Sequence, residues 1–158
     1  MQLIAEIYDV LKTLAQLDNE ELSETFIDWN EGELESFLIE ITSHIVNFKD
    51  DQGKPGYLID NILDKTGMKG TGRWTIQEAA ERSVAAPTMA AALDVRYLSA
   101  RKTERALASR TLNGPTERPI VHKLQILQDA KDALYCAKVC SYAQGLCVIK
   151  AASEQVCD

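Results

Sequence analysis

Apolar side chains recur at every third or fourth position along most of this chain, and that spacing restricts it to helices. Leu3, Ile7, Val10, Leu14 and Leu17, with Ile4 and Leu11 beside them, place one apolar stripe on a helix that starts at the first residue. No capping residue precedes Met1, as expected of a piece of a longer chain. Asp18 or Asn19 can cap a second helix reaching Trp29. Gly32 then separates it from a third, whose buried stripe is expected to be Leu34, Phe37, Leu38, Ile41, Ile45 and Phe48. Residues 50–56, with two glycines and Pro55, read as a surface turn, and a fourth helix carrying Leu58, Ile59, Ile62 and Leu63 ends before Gly67.

The second half continues in the same class. Thr75 and Glu78 have the spacing of a capping box, so a helix is expected to open there. Pro87 ends that helix and suits the first turn of the next, which passes Arg96 and can extend to Leu112. Residues 113–119, with Gly114, Pro115 and Pro119, form a second loop. From Lys123 to about Val156 there is no proline and only Gly145, which predicts one long helix or two joined at that glycine. No segment alternates as a strand would, and no long repeat is present. The expected fold is all-α, a multi-helix bundle forming a single helical domain over residues 1–158, with no Rossmann domain.

Composition narrows the function classes. A chain of 158 residues with 46% hydrophobic and 26% charged side chains can build a packed core without metal or disulfide staples. No apolar run is long enough to span a bilayer and no secretory leader is visible, so a membrane role is not expected. Cys136, Cys140, Cys147 and Cys157 form no CxxC pair and have no histidine nearby, which is poor zinc spacing. The first three share one helix face, where free cysteine is expected to pack as a small apolar residue, and reduced thiols fit a cytoplasmic compartment, a plastid being left open.

The net charge of -7 is unevenly spread: residues 1–64 carry fifteen acidic and three basic side chains, residues 65–158 nine and fourteen. The second half is therefore the one suited to an anion. Its basic residues Arg96, Arg101, Lys102, Arg105, Arg110 and Arg118 lack interleaved aromatics apart from Tyr97, so no nucleic-acid partner is expected and a solvated face is the simpler reading. His44 and His122 are read as structural, and the acidic pairs Glu20 and Glu21 or Glu33 and Glu35 as solvated faces.

One loop carries chemistry. Gly70, Thr71 and Gly72 look like the start of a dinucleotide fingerprint, but Thr75 stands at the third glycine position and no strand precedes them. An anion suits the loop better: glycine lets backbone approach closely, Lys69 adds charge, Thr71 a hydroxyl, and the next helix its free amides. The residues alone leave open a loop that needs glycine only for its turn.

Residues 68–75, MKGTGRWT, closely match the KGTGKWT motif of 6-phosphogluconate dehydrogenases. The match does not stand alone. Residues 1–11, MQLIAEIYDVL, resemble the helix that follows that family's catalytic segment, and residues 29–34, WNEGEL, its WNxGEL stretch. Residues 134–138, LYCAK, and 141–145, SYAQG, resemble its ALYASKI and SYAQG run, so motifs in family order cover nearly the whole chain.

The resemblance implies that Lys69, Thr71 and Arg96, the last within DVRYLS and similar to the family's ARxLS stretch, hold the phosphate of 6-phosphogluconate. By its residue type alone Arg96 is one basic side chain among six. The family oxidises that sugar acid with NADP, decarboxylates the keto intermediate and releases ribulose 5-phosphate in the pentose phosphate pathway. Its catalytic lysine and glutamate lie upstream of the residues matching Met1, its NADP domain also lies outside, and a partner subunit lends further site residues. This chain is thus expected to hold no catalytic, cofactor or metal residues, to bind no NADP by itself, and to form a homo-oligomer with apolar stripes uncovered, especially Leu3, Ile7 and Val10. The alternative is a non-enzymatic helical module for pairing or partner binding. Arg73 replaces the motif's second lysine, residues 100–104, ARKTE, depart from the family's KDE-like run, and the match fades over residues 155–158, as premature termination or divergence would give.

Overall fold

Local sequence signals start and stop most of the helices. The computed structural model describes residues 1–67, 69–114 and 122–156, the last without its side chain, and among these residues there are eight helices and no strand. A lone antiparallel bridge joins Lys49 and Tyr57. The helices are α1 (Gln2–Thr13), α2 (Asn19–Asn30), α3 (Phe37–Val46), α4 (Leu58–Asn61), α5 (Thr71–Glu81), α6 (Pro87–Ala100), α7 (Lys102–Ala108) and α8 (Lys123–Val156). They fall into two compact units. One comprises residues 1–63 and 115–135, the other residues 64–114 and 136–158, so α8 contributes to both.

In the first unit, Asp18 caps α2 through a full capping box: its carboxylate accepts from the Glu21 amide at 2.8 Å, and the Glu21 carboxylate accepts from the Asp18 amide at 3.1 Å. The core is built on Leu11, Leu22, Phe26, Trp29, Leu34, Ile39 and Val46, with Ala130 and Leu134 of α8. Phe26 meets Trp29 edge to face at a centroid distance of 5.6 Å. Where α2 crosses α3, Ser23 donates to the Ser43 carbonyl at 2.9 Å, and both serines are buried. Two small side chains at one crossing let the backbones approach, and the hydrogen bond satisfies the hydroxyl inside the core.

Ser43 also explains why the expected α3 stripe is wrong. The buried face is Ile39, Ser43 and Val46, while Phe37 is 71% exposed, Ile45 46% and Phe48 50%; Leu34 is buried but lies ahead of the helix. Apolar residues occupy two faces of α3, and the serine hides the period of the packed one. A cleft of about 230 Å³ between α1 and α3 is lined by the other face through Leu38, Ile41 and Ile45. The expected fourth helix is a single turn, because Ile62 leaves it with extended backbone; Ile62 and Leu63 are 60% and 62% exposed. A one-turn helix bears the cost of nucleation with little propagation to offset it.

α1 differs from its expected exposure. Leu3, Ile4, Ile7 and Tyr8 pack against the core and Val10 is half-buried. The long apolar stripe open to solvent lies instead on α8, at Tyr135, Val139, Tyr142, Leu146 and Ile149. The cysteines are corrected too. Cys136, Cys140 and Cys147 are exposed free thiols, because α8 packs through Ala130, Leu134 and the half-buried positions Ala137, Ser141, Gln144 and Val148. Cys157 lies outside the described residues.

In the second unit, Pro87 takes the first turn of α6, as its missing amide and fixed φ predict. The helix does not run through to Leu112. It breaks at Arg101, whose ψ of 44° separates α6 from α7. Gln144 of α8 receives the Thr88 amide at 3.0 Å and donates to the Thr88 hydroxyl at 2.9 Å, supplying the cap that Ala86 cannot. Gly145 sits inside α8, which is one continuous helix.

Removing the fully buried ring with Phe26→Ala should destabilise the chain by about 3–5 kcal/mol, from lost transfer energy plus a cavity. Phe37→Ala, at an exposed position, should cost less than about 0.5 kcal/mol. Urea midpoints of the two variants check the pair, and equal losses would return Phe37 to the core.

Candidate anion site at the start of α5

The start of α5 is set by one backbone angle. Gly70 is the N-cap with φ of +108°, a region that L side chains rarely adopt, and this lets the chain enter the helix at Thr71. The helix therefore opens ahead of the expected box. Thr75 lies inside it and donates its hydroxyl to the Thr71 carbonyl at 2.8 Å. A Cβ on Gly70 would also stand 3.2 Å from the Trp74 ring, so the indole closes over the glycine. Gly72 faces Leu93 of α6, where a Cβ would make an ordinary contact with its Cδ1 at 3.5 Å, and the two helices pack directly.

No side chain caps α5. The amides of its first turn and the positive end of its dipole are thus available to an anion. Lys69 and Thr71, on either side of Gly70, are both exposed, and Arg73 is exposed one residue after Gly72. Arg96 approaches from α6: its Nη2 donates to the carbonyl of Gly67, two residues before Lys69. The structure thus brings the Arg96 guanidinium to the loop that carries Lys69 and Thr71. That bond uses one of five guanidinium donors, and the buried Arg96 Nε has no hydrogen-bond partner among the described residues.

Sequence reasoning missed the residues that hold this loop. Asp64 pairs with Lys102, and its other oxygen takes the Arg105 Nη1 at 3.0 Å. Arg105 Nη2 also donates to the Asp64 carbonyl at 2.7 Å and to the Ser99 carbonyl at 3.1 Å. The Ser99 hydroxyl accepts the Thr66 amide at 3.0 Å. Every contact that reaches Asp64 or Thr66 spans more than thirty residues, so no local spacing signals it; the only hint was the departure of residues 100–104 from the family pattern. The hydrogen bonds from Lys102 and then Arg105 hold the Asp64 carboxyl well below its ordinary 3.8, at about 2.

Other sequence candidates lie on other helices. His44 is exposed on α3, and Glu20 of α2 accepts the Tyr57 hydroxyl at 2.8 Å. Among the described residues, no group of three or more His, Cys, Asp or Glu could hold a metal ion, and no helix is long and apolar enough to cross a membrane.

A depressed carboxyl pKa sets the direction of the pH response. The Asp64 pairing is fully present above about pH 4 and is lost as pH falls from there through about 2, where the folded-state carboxyl takes up its proton. A carbon-detected NMR titration of Asp64 should show that low midpoint, and Lys102→Met should move it up towards the ordinary value. A midpoint near 3.8 in the unaltered chain would dissolve the pairing.

Comparison with known proteins shows the family of the chain. Residues 1–157 match the family model described as 6-phosphogluconate dehydrogenase, C-terminal domain. The chain is 56% identical to the rice protein named 6-phosphogluconate dehydrogenase, decarboxylating 1, over 98% of this chain and 32% of that one. It is 46% identical to the decarboxylating 6-phosphogluconate dehydrogenase of Lactococcus lactis, over 98% of this chain and 33% of that one. Among solved structures, 6-phosphogluconate dehydrogenase of Plasmodium falciparum superposes with a TM-score of 0.92 at 46% identity, over 99% of this chain and 34% of that one. That enzyme is described in its apo form, with its cofactor NADP+ and with its substrate 6-phosphogluconate. The chain therefore spans about a third of the length of these relatives, and on the match over residues 1–157 it belongs to the 6-phosphogluconate dehydrogenase family, within the C-terminal domain.

Proposed function

We propose that this chain is the part of a decarboxylating 6-phosphogluconate dehydrogenase that grips the phosphate of 6-phosphogluconate and contributes to a helical dimer core. The observation that carries the reading is the uncapped start of α5 behind Gly70, flanked by Lys69 and Thr71, with Arg96 bonded to the same loop. Each group has a distinct task at a phosphate. First-turn amides and the Thr71 hydroxyl donate directional hydrogen bonds, Lys69 adds a point charge, and Arg96 offers the remaining donors of its fork. The glycine permits close backbone approach, which a Cβ would block.

The whole enzyme would oxidise the sugar acid with NADP and release the decarboxylated pentulose phosphate. The Gly70 loop does not fit a dinucleotide fingerprint: among the described residues no strand precedes it, and Thr75 stands where the fingerprint needs its third glycine. No step of hydride transfer or decarboxylation is therefore assigned to these residues. What they can do is bind and orient the substrate's far end, so that binding energy realised at the phosphate is used to position the reacting carbons elsewhere. Related proteins include enzymes named chloroplastic, among them one of Arabidopsis thaliana at 56% identity, so the cytosol and the plastid are the compartments proposed.

Pairing between copies is supported by a separate observation. Tyr135, Val139, Tyr142, Leu146 and Ile149 recur at intervals of four and three on α8 and are 39–65% exposed. That is the spacing of a helix-to-helix seam. It favours self-association, either as part of the enzyme or as the alternative pairing module.

Three measurements check these proposals. Titration with 6-phosphogluconate followed by NMR should shift the amides of Lys69, Thr71 and their neighbours, and Arg96→Met should weaken binding by about 2 kcal/mol. Shifts confined to other residues would remove the assignment. In a spectrophotometric assay with NADP and 6-phosphogluconate the chain alone should show no turnover, and measurable turnover would place chemistry within it. Sedimentation should show a concentration-dependent oligomer that Tyr142→Glu with Leu146→Glu dissociates; a strict monomer would end the pairing proposal.

A further inference from the structure

Residues 64–67, just ahead of the phosphate loop, are held at successive points by α6 and α7. The Asp64 carboxylate is taken by Lys102 and Arg105, the Asp64 carbonyl by Arg105, the Thr66 amide by Ser99 and the Gly67 carbonyl by Arg96. These contacts cooperate. Arg105 also bonds the carbonyl of Ser99, so the residue that receives Thr66 is tied to the residue that receives Asp64. Past the break at Arg101, Lys102 and Arg105 lie three residues apart on α7 and meet on one carboxylate.

We propose that Asp64 is a positioning residue for the phosphate loop: paired with Lys102 and Arg105, it fixes the backbone from which Lys69 and Thr71 are presented. The proposal rests on the phosphate reading given above. Asp64 itself is an acid and would repel a phosphate, so its role runs through its two partners and not through the ligand. Geometry limits what the loop can do once it is held. Two residues span at most about 7 Å, so a fixed Gly67 confines Lys69 to a small region beside the Arg96 guanidinium. A loop ordered before binding loses less freedom on binding, and that saving appears as affinity. The low Asp64 pKa agrees with a carboxylate held by two cations. Its side chain is 57% exposed, so the pairing should be sensitive to salt.

The test compares the 15N-labelled chain with Asp64→Asn and Asp64→Glu, using circular dichroism to confirm equal helicity. In the absence of ligand, Asp64→Asn should raise the exchange rate of the Thr66 amide roughly tenfold while the amides of α6 stay protected. With 6-phosphogluconate as the probe, it should weaken binding roughly tenfold, and Asp64→Glu, which keeps the charge, should recover most of that loss. Equal affinity of Asp64→Asn and the unaltered chain overturns the positioning role even if Thr66 exchanges faster, and so does Asp64→Glu binding no better than Asp64→Asn. If the unaltered chain binds no 6-phosphogluconate, the phosphate reading itself fails. The hold of Asp64 on the loop is then decided by Thr66 exchange, and an unchanged rate in Asp64→Asn overturns it.

Discussion

The left-handed turn at Gly70 is the constraint on which the candidate site depends. With φ at +108°, the chain enters α5 at Thr71, leaves the first-turn amides without a side-chain cap, and sets Lys69 and Thr71 on either side of the turn. A residue with a Cβ would meet both the forbidden backbone region and the Trp74 ring. Trp74 thereby has a local structural task, covering the glycine from one turn up the helix. Gly72 lies beside Leu93 of α6, the helix from which Arg96 reaches the loop.

Polar groups organise the first unit in a comparable way. Lys12 of α1 bonds Asp60 of α4, the Tyr8 hydroxyl at 3.0 Å and the Asn19 side chain at 3.4 Å, and Asn19 in turn donates to the Val46 carbonyl at 2.9 Å. One lysine and one buried asparagine thus link the first four helices around a core whose apolar members cannot by themselves select a unique register. Directional bonds inside a packed core supply that selection, and each is satisfied. Ser23 and Ser43 act likewise where α2 crosses α3.

Helix identity was largely legible from residue spacing, because period and capping are local properties. Asp18 as one of two candidate caps, Pro87 at the first turn of α6, and the helical character of residues 123–156 were readable, since each signal lies within a few residues of its effect, while the continuity of α8 through Gly145 was left open. Burial was less legible. The α3 stripe was misjudged because Phe37, Ile45 and Phe48 are as apolar as a core requires yet face outward, while Ser43 is buried. The family motif pointed to Lys69, Thr71 and Arg96, whereas Asp64, Lys102, Arg105 and Ser99 could be joined only after the chain had folded back across more than thirty residues.

The sequence by itself determined an all-helical chain, the glycine-flanked lysine and threonine ahead of a helix, and the asymmetry of charge that makes the second half attractive to anions. These follow from composition and short-range spacing, which sequence records directly. Tertiary structure decided where α5 begins, which face of α3 is buried, where α6 gives way to α7, and which basic residues pair with Asp64. Those outcomes depend on backbone dihedrals and on contacts between segments far apart in the chain, and such contacts are energies of packing and pairing that no single stretch of residues contains.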